Sequence, residues 1–218
     1  MSLKFVLSSA VLALGALGAL GAVNAEAAAL MVKILDANGA ALADTVVYAE
    51  PEGGQVPKTM APGEIAQKGL KFIPLVTVVQ TGSKIYFPNN DRVRHHIYSF
   101  SPAHKFDQKL YSGEQAPPQL FDKAGTVVLG CNIHDKMLAF VKVVDTPYFA
   151  KSDAGGLVQL DLPAGKYTVK AWHYDAAGGL TPEQPAQVKA GEGGAPLVFR
   201  LTLKQGSADP DAAARPNL

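Results

Sequence analysis

TVVLGCNIHDKMLAFVKVV, residues 126–144, reads as two β-strands joined by a loop that carries three soft metal donors. TVVLG is a β-branched run that ends at Cys131, and MLAFVKVV is a second apolar run that starts at Met137. Between them Cys131, His134 and Met137 recur at three-residue spacing, C-x2-H-x2-M. A thiolate, an imidazole and a thioether so spaced reach one ion if they leave the end of one strand, cross a tight loop and enter the next. Cys131 is the only cysteine in the 218 residues.

Outward from this stretch the same texture continues. Short β-branched and aromatic runs, punctuated by Gly, Pro, Asn and Asp, predict strands at 30–35, 45–49, 77–87 (TVVQ, then SKIYF), 95–100, 126–130, 137–144, 157–162, 166–172 and 196–203. No long amphipathic helix follows the N-terminal region, so the fold class is all-β. Asp36-Ala37-Asn38-Gly39 predicts a tight turn, because Asn-Gly accepts positive φ; a calcium loop would need more alternating acids. Residues 205–218 lack an apolar pattern and predict a disordered tail.

Residues 1–25 combine an early lysine, a run of about 18 apolar residues and the small-residue triplet Val23-Asn24-Ala25, the pattern of a cleaved secretory signal. The run approaches spanning length, but its Gly/Ala content and the triplet favour removal, leaving no membrane span. After such cleavage 19 basic residues stand against 19 acidic ones. A neutral chain argues against nucleic acid, which requires a basic footprint. An exported chain with one cysteine makes no internal disulfide, so Cys131 is either buried or engaged through its sulfur.

A further donor is offered upstream by FPNNDRVRHHIYSFS, with His95 and His96 at a strand entrance. Strand alternation lets only one of them face the loop, and parity leaves the choice open: Ile97 shares a face with His95, Tyr98 and Phe100 with His96. Two imidazoles, one thiolate and a distant thioether form the donor set of a mononuclear electron-transfer copper site. Thiolate and thioether favour Cu(I), and imidazole supports Cu(II) as well.

The pair of segments F-x-N-N-x4-H and C-x2-H-x2-M resembles the blue copper proteins called cupredoxins, near plastocyanin and amicyanin. The longer strings NNDRVRHHIYSFSPAHKFD and GCNIHDKMLAFVKVVDTPYFAKSDAGG are similar to a bacterial group labelled methylamine utilization or plastocyanin-like proteins. The resemblance implies a cupredoxin Greek-key β-sandwich with one type 1 copper, and lands the ligand roles on His95, Cys131, His134 and Met137. VKILDANGAALADTVVYAEP and AKSDAGGLVQLDLPAGKYTVKAWH together resemble the two halves of a carboxypeptidase-regulatory-like, or transthyretin-like, Ig-like sandwich. The implied organisation is a signal at 1–25, a first half-sandwich at 26–61, a cupredoxin domain at 62–146, the second half-sandwich at 147–204 and the tail. Two sandwiches in series is the plainer alternative.

The family has asparagine immediately after the first histidine, where it braces the thiolate loop; here that position is His96. Taken singly, a buried Cys or Met is ordinarily a small core residue, and an exposed His is ordinarily solvated. His104 and His173 are expected as loop and strand-end residues, Trp172 as core, and Lys105, Lys109, Lys136 and Lys142 as solvated. The chain lacks the paired H-x-H motifs of multicopper oxidases, the second cysteine of a binuclear copper site, the C-x-x-C-H of covalent haem and a G-x-S-x-G nucleophile. Zinc would take the Cys and His residues but seldom a methionine.

The expected function is therefore a periplasmic, monomeric carrier of single electrons between a donor and an acceptor redox protein, and not an enzyme. The alternative is a copper-binding module that buffers or delivers the metal. By resemblance, His134 would lie nearest the surface, beside Ile133 and Leu138, where a partner docks.

Overall fold

The computed structural model describes residues 27–53, 56–111, 116–134 and 136–205. The expected signal at 1–25, and all but the first residue of the expected tail, lie outside the described residues. No helix among those residues is long and apolar enough to cross a membrane. The chain is all-β, and the helical element described is the single 3-10 turn Ala177–Gly179.

The strands run β1 Ala28–Asp36, β2 Val46–Pro51, β3 Gly63–Glu64, β4 Ala66–Gln67, β5 Phe72–Ile73, β6 Val76–Gln80, β7 Ser83–Tyr86, β8 His95–Ser99 and β9 Phe106–Tyr111. They continue with β10 Gln119–Phe121, β11 Gly125–Gly130, β12 Leu138–Val144, β13 Phe149–Lys151, β14 Leu157–Leu162, β15 Gly165–Trp172, β16 Glu183–Val188 and β17 Leu197–Leu201. Four sheets carry the architecture, in the orders β14-β1-β17, β13-β2-β15-β16, β6-β12-β11-β8-β9 and β10-β7-β3; β4 and β5 pair separately.

Three apolar clusters hold these sheets as stacked layers. Leu30, Val32 and Ile34 of β1, Val158, Leu160 and Leu162 of β14, and Phe199 of β17 pack against Val47 and Ala49 of β2 and Val169 of β15. Ile85 of β7 and Phe121 of β10 pack against Ile97, Val127, Leu129, Ala139 and Val141 of the five-stranded sheet. Between the two inner sheets lie Val46, Tyr48, Val76, Val144 and Trp172.

This layering explains two kinds of sequence pattern. LVQLDL of β14 alternates buried and exposed residues because only one face is covered. VVYA of β2 is buried throughout because Val47 and Ala49 face one cluster and Val46 and Tyr48 the other. In β12, Ala139, Val141 and Val143 likewise face the β7 side, while Phe140, Lys142 and Val144 face the second pair of sheets. Strands buried on both faces read as continuous apolar runs.

Lys142 departs from its expected solvation. Its Nζ lies 5.7 Å from the Tyr48 ring centre and 5.5 Å from that of Trp172, a cation held over two aromatic faces. Burial there pulls its ammonium below the usual lysine range, with Lys170 pulling the same way and Glu50 opposing.

Two turns fix the outer sheet. Asp36 Oδ1 accepts the N–H groups of Asn38 and Ala40, both at 2.8 Å, with Gly39 at φ 87°. In the second turn Asp153 Oδ1 accepts the Leu157 N–H at 2.8 Å, and Gly156, at φ 70°, accepts the Ile34 N–H at 2.7 Å. A Cβ on Gly156 would lie 2.3 Å from the Ile34 carbonyl oxygen, so the D-x-x-G pattern records a close backbone approach.

Candidate metal centre

The β11–β12 ladder closes on the pair Gly130–Leu138, leaving residues 131–137 as the connecting loop. Met137 N–H donates to the His134 carbonyl at 2.9 Å, which turns the loop so that its donors bunch. Gly130 also pairs with Tyr98 of antiparallel β8, which brings Cys131 toward the His95 end of that strand. The Tyr98 ring lies directly on Gly130: a Cβ there would stand 2.8 Å from Cζ. Any larger residue before the thiol would have to push the Tyr98 ring aside.

The structure resolves the choice of parity at β8. His95, Ile97 and Ser99 point inward, whereas His96 and Tyr98 point outward. The His95 side chain is fully buried, while His96 Nε2 contacts Asp107 on β9. The ladder between β8 and β9 shifts register between His95 and Ile97; such irregularities re-aim side chains near sites.

His95, Cys131 and His134 each bring one ligand atom into a group whose members lie within 4.8 Å of one another. Cys131 Sγ stands 3.6 Å from His134 Nδ1, and the two imidazole centroids are 4.9 Å apart. Cys131 and His95 are buried and His134 is half-buried. Met137 is 2% exposed and belongs to the same apolar cluster as Cys131.

The donors fit a copper ion. His95 Nδ1 is fully buried with no hydrogen-bond partner, an arrangement that is costly unless something else takes up its lone pair or proton. The neighbouring donors are a thiol and a second imidazole, and a thioether lies buried at the end of the loop. That mixture of soft and borderline donors suits copper better than the oxygen-seeking cations.

Sequence reasoning missed Asp91. Its Oδ2 lies 2.8 Å from His95 Nε2, and its two oxygens accept the N–H groups of Gly69 at 2.7 Å and Leu70 at 3.1 Å. Burial pushes the Asp91 carboxyl up, but the amides of Leu70 and Gly69 together with His95 outweigh it, so the group sits below the usual carboxylate range. Asn89 shapes the same approach, accepting the Asp91 N–H at 3.0 Å and donating to the carbonyls of Val93 and Tyr111, both at 2.9 Å. The visible signal is the N-N-D run, of which the family pattern weighs only the asparagines.

The other histidines stand apart from the centre. His104 packs between the rings of Phe106 and Phe121, at 5.1 and 4.6 Å. His173 is buried on the second pair of sheets, where its Nδ1 accepts the Asp175 N–H at 3.1 Å. Trp172 is 6% exposed and lies between the inner sheets.

No family model matches this sequence, and neither does any curated protein. Among solved structures the chain is similar to a copper-containing nitrite reductase from Thermus scotoductus SA-01, at 22% identity over 44% of this chain, with a TM-score of 0.36. It spans only 25% of that reductase chain. It is also similar to the reduced Cu(I) form of an amicyanin mutant at pH 4, at 18% identity over 44% of this chain and 99% of that one, TM-score 0.36. A purple cupredoxin from Nitrosopumilus maritimus aligns at 20% identity over 38% of this chain and 99% of that one, TM-score 0.33.

Proposed function

We propose that this chain is an exported, non-enzymatic carrier of single electrons, holding one mononuclear type 1 copper through His95, Cys131 and His134 with Met137 as the weaker fourth donor. The observation that supports the reading best is the convergence of three ligand-bearing side chains from β8 and the 131–137 loop, one of them a fully buried histidine whose Nδ1 has no hydrogen-bond partner. Copper so held supplies a reversible one-electron couple at potentials set by its donors.

The chain's own residues do the rest. Two strands and a hydrogen-bonded turn fix the donors, so little rearrangement accompanies a change of charge at their centre. Burial of His95 and Cys131 excludes water, while half-buried His134 leaves one edge near the surface. Around the loop Ile133, Leu138, Val128 and Phe100 are exposed apolar side chains, and Phe100 is 80% exposed. Such a rim suits brief docking by a redox protein without a strong charge requirement.

We also propose that residues 62–146 form the copper domain, inserted into a sandwich built from 26–61 and 147–204. One apolar cluster is drawn from residues 65 to 143, another from 28–49 and 158–201, which supports the division. Periplasmic location and monomeric state belong to the same proposal.

The test is metal retention under turnover. Copper-loaded protein cycled repeatedly between a chemical oxidant and reductant should keep its metal and its colour. Rapid loss of the ion to an apo-acceptor protein during cycling would favour delivery over electron carriage.

A further inference from the structure

We propose that Asp91 is a positioning residue for the metal centre, fixing the His95 proton on Nε2 so that Nδ1 presents its lone pair to the ion. The inference rests on His95 being a ligand, as proposed above. It is also carried by the hydrogen-bond geometry itself, which does not require a metal.

Asp91 Oδ2 receives the Leu70 N–H at 3.1 Å and lies 2.8 Å from His95 Nε2, while Oδ1 receives the Gly69 N–H at 2.7 Å. Two backbone amides can only donate, so both carboxylate oxygens act as acceptors. An ionised carboxylate has no proton to give. The short contact with His95 therefore requires the imidazole to donate, which puts the hydrogen on Nε2. A neutral imidazole protonated at Nε2 has its lone pair on Nδ1, the atom found buried and without a partner. The tautomer and the unpartnered nitrogen agree.

Asp91 also ties the site to a distant turn. Gly69 and Leu70 have φ values of 63° and 58°, and Lys68 and Lys71 close the turn through reciprocal backbone bonds of 3.0 and 3.3 Å. The amides of this left-handed pair converge on one carboxylate, so the turn between β4 and β5 holds Asp91, and Asp91 holds the ring of His95. The sequence places asparagine's usual brace at His96, yet that ring is turned outward to Asp107. Asp91 instead holds His95 itself.

The test uses full-length protein carrying ¹⁵N-labelled histidine, both metal-free and loaded with Cu(I), which is diamagnetic. Wild type should show a slowly exchanging His95 Nε2 proton in both forms, with Nδ1 shifted on metal loading. Asp91→Asn retains a carbonyl oxygen for the Gly69 amide but sets its NH₂ group where Oδ2 now meets both the Leu70 N–H and His95. In this variant the Gly69 amide should stay protected, the Leu70 amide should lose protection, the Nε2 proton should exchange about tenfold faster or more, and Cu(II) affinity should fall by about 10- to 100-fold. Asp91→Ala should lose both protections, and Asp91→Glu should restore the Nε2 proton in part.

A proton on Nδ1 in the wild type, or an Nε2 proton and copper affinity unchanged in both Asp91→Asn and Asp91→Ala, would overturn the proposal. If the Nε2 proton is present in metal-free protein but Nδ1 does not respond to Cu(I), the carboxylate's hold on His95 stands. The ligand assignment then fails instead.

Discussion

Cys131 Sγ and His134 Nδ1 lie 3.6 Å apart, just before a turn that Met137 closes by donating its N–H to the His134 carbonyl. That backbone hydrogen bond sets the spacing of His134 and Met137, the second and third loop donors. The spacing C-x2-H-x2-M matters because it fits this turn, with Cys131 leaving β11 and Met137 entering β12.

Met137→Leu tests the fourth donor. Leucine keeps volume and apolarity, so the core should survive. We expect the copper protein to retain its intense visible band but to show a shifted reduction potential, because a weak axial donor tunes the couple. Voltammetry reads the shift, and an unchanged potential would remove Met137 from the ligand set.

Gly156→Ala tests the close approach in the outer sheet. Its new methyl would meet the Ile34 carbonyl at 2.3 Å on a backbone at φ 70°, so urea unfolding should show a loss of more than about 3 kcal/mol. Gly179 has a similar φ of 67° with nothing within 4 Å of an added methyl. Gly179→Ala should cost only about 1 kcal/mol.

Lys142→Ala probes the contact between the inner sheets. Removing the ammonium and its stem from between Tyr48 and Trp172 should destabilise the protein by about 1–2 kcal/mol. Trp172 is the only tryptophan, so its emission should move to longer wavelength as water reaches the ring. Unaltered emission and stability would mean that the lysine is incidental to this interface.

Alkaline pH should loosen the approach to β8. Tyr111 donates its hydroxyl proton to the Phe87 carbonyl at 2.5 Å and accepts from Gln67 Nε2 at 2.5 Å. Burial is the main cause that pushes its phenol up to about 12, partly offset by the Gln67 bond. Because the folded pKa is raised above the ordinary value of 10, this contribution is intact below pH 10 and is lost as pH rises from 10 toward 12. Tyr111→Phe should flatten the fall in stability over that window, measured by denaturant titration at successive pH values.

The sequence disclosed strands according to how they are covered. VVYA is buried on both faces and AFVKVV is covered on both, so they stand out as apolar runs, and LVQLDL alternates because one face is wet. The strands that escaped notice are β3, β9, β10, β13 and β16, all at sheet edges, together with the separate pair β4–β5. FDQKLY and EQPAQV carry polar residues and a proline because an edge strand has less to bury, so their composition resembles a loop.

The same logic governs the site. Cys131, His134 and Met137 were legible because one short loop holds them. Strand alternation alone left His95 and His96 unseparated, since Ile97 and Tyr98 gave both parities an apolar neighbour; the resemblance pointed to His95, whose side chain β8 turns inward. Asp91 was hidden because its partners come from Gly69, Leu70 and His95, which no local spacing unites.

The most direct test of the centre is the optical and electron spin resonance spectrum of the protein loaded with one equivalent of Cu(II), compared with Cys131→Ser. The wild type should show a strong thiolate-to-copper absorption in the visible, vanishing on reduction, and the narrow copper hyperfine splitting of a covalent thiolate bond; the serine variant should be colourless. A weakly coloured wild type with the broad splitting of ordinary nitrogen and oxygen ligation, unchanged by the serine substitution, would contradict the account.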